Sequence, residues 1–160
     1  MSAALKIEAR NVDLPPKDRK SVAAELDKVL ISTYELLLAT QLVHWNARGS
    51  NFYSLHKLTD DQYEELFETL DVLAERMRAL GATVPAAGPT KPFALSMSLK
   101  SAELDKMVEQ LVALHEKAAA DARDVAKSAE EVDDIATNDI LVDCIKFHEK
   151  ASWMLRAIVA

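Results

Sequence analysis

The chain has 160 residues, 49% of them hydrophobic and 28% charged, enough for one domain burying about 70% of the surface its unfolded form exposes, without covalent staples. A formal charge of −7 opposes nonspecific attraction to DNA or anionic membrane and favours attraction of cations. The only cysteine, Cys144, excludes an intrachain disulfide, fits a reducing compartment and reads as a small buried hydrophobe.

Only three glycines interrupt a chain rich in Ala, Leu, Glu and Lys, so helix propensity is high, strand signals are sparse and an all-α fold is expected. Residues 1–16 read as an N-terminal arm ending in Pro15-Pro16, and residues 17–160 as a single helical domain. Lys6, Glu8 and Arg10 interrupt the apolar residues of the arm, so a secretory signal is not expected. No run approaches 18 apolar residues, so the expectation is a protein of the cytoplasm without a membrane partner.

Val22, Leu26, Val29, Thr33, Leu36, Thr40 and Val43 recur at helical period and predict a long first helix that breaks at Arg48-Gly49-Ser50-Asn51. A second helix is expected from about Phe52 to Leu80, stopped by Gly81 as the left-handed residue after its last turn. Residues 82–97 carry Pro85, Gly88, Pro89 and Pro92, a crossover long enough to return the chain along a bundle, with room for a short helix. The third helix should span about Ser101 to Ala129, with Leu104, Met107, Val108, Leu111 and Leu114 as its stripe. Its capping box is incomplete, because Leu104 stands where a glutamate would reach back. The fourth runs from Asp134 or Thr137 to Ile158, with Leu141, Ile145, His148 and Leu155 on one side. Four long helices joined by short, long and short connections predict a ferritin-like four-helix bundle.

Chemistry concentrates in His44, His56, Asp60, Asp71 and Glu75, spaced H-x11-H-x3-D-x10-D-x3-E. A mixed set of imidazoles and carboxylates without thiolate suits a transition metal, with Fe(II) the natural candidate and Zn(II) also accommodated. On the second helix, His56/Asp60 and Asp71/Glu75 are i, i+4 pairs. The 11-residue step between them is three turns plus roughly 20°, so both share a face. The same step rises about 16 Å, far more than the roughly 2 Å bonds of one metal ion can bridge. One helix therefore cannot close the site. A second copy, antiparallel across a two-fold axis, would set each pair opposite its complement and generate two equivalent sites. Tyr63 and Phe67, flanked by Leu66 and Leu70, are expected to form the apolar centre of that contact. A di-metal site inside one bundle is poorly supported, because Gln41, Tyr53, Val112 and Ile145 stand where a Glu-x-x-His motif needs glutamate. His115, beside Glu116, reads as a surface residue, and His148 as packed or hydrogen-bonded.

The run His44-Trp45-Asn46-Ala47-Arg48-Gly49, followed by Phe52-Tyr53, Leu55-His56, Tyr63-Glu64-Glu65-Leu66 and Ala74-Glu75-Arg76, resembles the Dps family, the mini-ferritins of bacterial cells. His148-Glu149-Lys150 and Trp153-Met154-Leu155-Arg156-Ala157 resemble the family's last helix. The resemblance implies a ferroxidase and iron store: a hollow homo-dodecamer built from two-fold dimers, oxidising Fe(II), preferentially with hydrogen peroxide, between subunits and keeping the ferric product inside. Carried over, His44, His56 and Asp60 would come from one subunit and Asp71 and Glu75 from its mate. Trp45 would be a radical sink, against which stands simple packing of an aromatic on a buried helix. Asp139 and Asp143 would line a three-fold pore within the acidic stretch Glu130, Glu131, Asp133, Asp134, Asp139 and Asp143, against which stands a solvated helix start.

The alternative is a nucleoid-associated protein that protects DNA chiefly by coating it. The family often binds DNA through a lysine-rich tail, but in residues 1–20 Lys6, Arg10, Lys17, Arg19 and Lys20 face Glu8, Asp13 and Asp18. Twelve such chains would multiply a charge of −7 that already repels phosphate. DNA binding is therefore expected to be weak or absent at physiological salt, which a gel shift would register as free DNA at micromolar protein.

Overall fold

The computed structural model describes residues 12–84 and 104–159. They form four helices, α1 (Pro16–Asn46), α2 (Phe52–Ala79), α3 (Leu104–Glu131) and α4 (Ile135–Val159), and among the described residues there is no strand. The all-α, ferritin-like four-helix bundle expected from the sequence is thus present. The bundle begins at Pro16, where a missing N–H costs nothing because the first helical turn has no partner for it. Most of the arm and the predicted crossover fall outside the described residues.

Two apolar layers hold the bundle and fix its topology. At one end Val22, Leu26 and Leu30 of α1 meet Leu73 and Met77 of α2, Ala122 and Ala126 of α3, and Leu141 of α4. At the other end Leu36, Ala39 and Val43 meet Leu55, Leu66, Val108, Leu111 and Leu155. The start of α1 therefore lies with the end of α2, the end of α3 and the start of α4. So α1 is antiparallel to α2 and α3, and α4 is antiparallel to α3 and α2. The end of α2 and the start of α3 consequently lie at opposite ends of the bundle, as the length of the intervening segment foretells.

The stops of α2 and α3 are left-handed residues closed by paired backbone bonds. After α2, Gly81 at φ +86° lets its N–H reach Arg78 O at 2.9 Å and Ala82 N–H reach Met77 O at 3.0 Å. After α3, Asp133 takes the same role at φ +60°, with Asp133 N–H to Glu130 O at 3.0 Å and Asp134 N–H to Ala129 O at 2.8 Å.

Asp134 then caps α4. Its carboxylate accepts from Thr137 N–H at 3.0 Å and from the Thr137 hydroxyl at 2.6 Å. Arg76 of α2 closes this cluster, donating Nη2 to Asp134 at 2.5 Å and Nε to Thr137 Oγ1 at 2.8 Å. Asp134 is buried and Arg76 nearly so, which makes this the one deeply desolvated ion pair among those described. Removing one partner strands the other charge in a low-dielectric site. Arg76→Ala is expected to cost about 3–5 kcal/mol, read as a lowered denaturation midpoint with unchanged slope.

Candidate metal centre

The α1–α2 turn brings His44 and His56 face to face. The chain leaves α1 through Ala47, reverses at Gly49 with φ +80°, and re-enters a helix at Phe52 through Phe52 N–H to Gly49 O at 3.2 Å. The two imidazoles stack with ring centroids 3.8 Å apart and planes 21° from parallel. Each ring then hydrogen-bonds the other residue's backbone. His44 Nδ1 donates to His56 O at 2.9 Å, and His56 Nδ1 donates to His44 O at 3.0 Å.

A carbonyl oxygen can only accept, so both rings carry their proton on Nδ1, and both Nε2 lone pairs remain free. That is the form in which imidazole binds a metal, with orientation fixed by the partner of the other nitrogen. The His44 carbonyl belongs to the last turn of α1, where carbonyls lack partners within the helix, so the arrangement also finishes the helix end. Thr59, buried on α2, adds its Oγ1 at 3.3 Å from His44 Nδ1 while donating to Leu55 O at 2.8 Å. Thr59 escaped the sequence reading. Its spacing of three residues from His56 is the signal, but a threonine there is common for other reasons.

Asp60 lies one turn beyond His56. Lys57 donates to it at 2.8 Å and also pairs with Asp61 at 2.8 Å. The Lys57 ammonium, followed by the Tyr63 hydroxyl and more weakly by His44, holds the Asp60 carboxyl below its usual range, so it is anionic at neutral pH. Lys57 was not among the residues foreseen, because an i, i+3 Lys/Asp pair on an exposed helix carries no functional signal, and Tyr63 was foreseen only for the two-fold contact.

Asp71 and Glu75 project into solvent farther along α2. Among the described residues of one subunit, no three histidine, cysteine or carboxylate side chains converge closely enough to hold a metal ion. One subunit brings His44 and His56 together, sets Asp60 near them, and leaves Asp71 and Glu75 apart.

Three expectations need correction. Leu66 and Leu70 do not belong to an outer contact: both are buried in their own bundle, because they continue the stripe of Leu55, Leu73 and Met77. The face carrying the acidic pairs lies about 130° around the helix from that stripe. Of the four residues proposed for the contact, Phe67 stands 69% exposed and Tyr63 is half-buried. Trp45 is not core packing, for it is 67% exposed where α1 ends. His115 is not a surface residue. It is wholly buried, with Nδ1 3.1 Å from Nδ1 of the equally buried His148, because it continues the α3 stripe of Val108 and Leu111 toward α4.

Asp139 and Asp143 project from α4 into an acidic cleft of about 220 Å³ with Glu65 and Glu68 of α2, and Asp143 is paired with Lys146 at 2.9 Å.

The ferritin-like domain model matches residues 23–160 of this chain. A protein of Agrobacterium fabrum named DNA protection during starvation protein is 32% identical over 152 residues, covering 92% of this chain and 93% of that protein. The chain belongs to the Dps family of ferritin-like proteins. A Nostoc protein described as an uncharacterized low temperature-induced protein is 36% identical over 155 residues, covering 93% of this chain and 86% of that one. The crystal structure of the Dps protein of Vibrio cholerae, described as a member of a superfamily of ferritin-like diiron-carboxylate proteins, superposes with a TM-score of 0.83 at 26% identity. That superposition covers 96% of this Dps chain and 99% of the other. No described helix is long and apolar enough to cross a membrane.

Lys57 competes with any cation for Asp60. An exposed pair of this kind is weak, so Lys57→Met should tighten Co(II) binding by the assembled protein only about two- to five-fold at pH 7, followed by absorbance titration.

Proposed function

We propose that this Dps-family chain is a ferroxidase and iron store whose site is shared between two-fold-related subunits. The observation that carries the reading is the reciprocal bonding of His44 and His56, which presents two free Nε2 lone pairs beside an ionised Asp60 and leaves the donor set unfinished. The missing anions are Asp71 and Glu75 of a second copy, which share the exposed face of α2 with Asp60. Phe67 and Tyr63 lie between the two pairs on that face and supply apolar area for the contact.

Fe(II) is the substrate. Imidazole nitrogens hold it without adding charge, and the three carboxylates favour the product as the metal's charge rises. Two Fe(II) each give up one electron, and the O–O bond of hydrogen peroxide accepts both and breaks. With two protons the oxygens leave as two waters, so no hydroxyl radical is released. Pairing the metal ions is therefore the protective step, and DNA is spared through loss of Fe(II) and peroxide rather than by coating. The Vibrio cholerae relative's description as a diiron-carboxylate protein supports this chemistry.

Trp45, exposed next to His44, is assigned the role of intercepting a stray oxidising equivalent. Asp139 and Asp143, with Glu65 and Glu68 around one cleft, are assigned the attraction of Fe(II) toward the shell interior through a three-fold pore. The shell is a dodecamer.

Complementation tests the split site directly. Subunits carrying His44→Gly and His56→Gly, and subunits carrying Asp71→Ala and Glu75→Ala, should each lose peroxide-driven Fe(II) oxidation by more than about tenfold. After co-assembly, half of the pairs are mixed and each mixed pair keeps one intact site of two, so about a quarter of the wild-type rate should return. No recovery in a co-assembled particle of about 212 kDa, twelve times 17.7 kDa, would place the whole site within one subunit.

A further inference from the structure

The iron chemistry uses one pair of imidazoles and leaves the other pair unexplained. His115 of α3 and His148 of α4 face each other inside the bundle, with Nδ1 atoms 3.1 Å apart and ring centroids 5.3 Å apart. They are 0% and 1% exposed, and the Phe147 ring lies against both. We infer that His115 and His148 form an acid-sensitive latch, which closes the α3–α4 seam while both rings are neutral and opens it when acid charges them.

The geometry allows only a neutral pair. Two Nδ1 atoms at 3.1 Å need one proton between them, so one ring donates and the other accepts. His115 Nε2 is sealed without a hydrogen-bond partner, which is tolerable for a bare lone pair and costly for an N–H. The favoured arrangement therefore has His115 donating through Nδ1. A proton added to the pair must then land on His115 Nε2, creating a buried cation whose new N–H has no acceptor. A second proton would turn both Nδ1 atoms into donors and abolish the bond between the helices.

The charged groups that flank this layer line the outer surface and its grooves. On α3 and α4 themselves, Glu116 pairs with Arg156 and Glu149 with Arg123, all on the outer surface. On the α1 side, Glu35 shares an open groove with Lys117 and Asp121, and on the α2 side Asp61 and Glu65 share a cleft with Lys150. Among the described residues no carboxylate pairs with either ring. Burial pushes His115 down to about 3, with His148 as a lesser cause, and burial alone pushes His148 down to about 4.

The sign follows from linkage. Both folded values lie below the unfolded value of about 6.5, so the stabilisation is complete above that pH and is lost as pH falls from about 6.5 toward 4. In that window each histidine lowers the folded-to-unfolded ratio about tenfold per pH unit. Every other ionisable group is common to the wild type and to a variant lacking only this pair, so the difference between the two isolates His115 and His148.

The experiment compares thermal midpoints of the wild-type assembly and the double variant His115→Gln/His148→Gln at pH 7 and pH 5. The wild type should lose about 10 °C more than the variant between the two pH values. Equal losses would overturn the latch. Should the variant fail to assemble, hydrogen exchange of the wild type decides: after correction for intrinsic rates, peptides around His115 and His148 should gain exchange at pH 5 well before those of α1 and α2. A uniform gain, or none, would sink the proposal.

Discussion

Two hydrogen bonds, His44 Nδ1 to His56 O and His56 Nδ1 to His44 O, are the constraint on which the candidate centre rests. Each ring is oriented by the backbone of the other residue, so neither can turn without breaking its own bond. The bonds also decide where the protons sit, and hence that Nε2 of each ring keeps its lone pair. They exist only because a five-residue connection with a left-handed Gly49 folds α2 back along α1. A Cβ at Gly49 would meet nothing within 4 Å, so the demand for glycine there comes from backbone conformation and not from space.

The second helix serves two masters. Its core stripe, from Leu55 through Leu66 and Leu73 to Met77, anchors it against α1 and the far layers of the bundle. About a third of a turn away, the face bearing His56, Asp60, Asp71 and Glu75 is left in or near solvent. Rigid attachment of the first face lends precision to the second. Arg76, beside Glu75, extends the anchoring by gripping the buried cap of α4 through Asp134 and Thr137, so the acidic end of α2 is tied to the start of the last helix.

The four histidines show how environment divides one residue type between tasks. His44 and His56 spend Nδ1 on backbone carbonyls, which leaves the lone pair on Nε2. His115 and His148 spend Nδ1 on each other in a sealed layer, where a cation has no counterion. The first pair suits metal chemistry at neutral pH, and the second makes the neutral state a condition of packing.

The four described helices, their approximate limits, the reversal at Gly49 and the stop at Gly81 were legible in the sequence, because each rests on local periodicity or local backbone chemistry. Even the sharing of a face by His56, Asp60, Asp71 and Glu75 follows from 100° per residue alone. Which face is buried does not follow from one helix, since Leu66 and Leu70 stand three residues from Tyr63 and Phe67 and can be assigned to either side until α1 and α4 are present. His115 was misplaced for the same reason: an adjacent glutamate signals solvent, whereas the α3–α4 contact turns the ring inward by one residue's rotation. The proton positions on His44 and His56 lay beyond the sequence altogether, because they depend on carbonyls 12 residues away that only the tertiary fold brings within 3.0 Å.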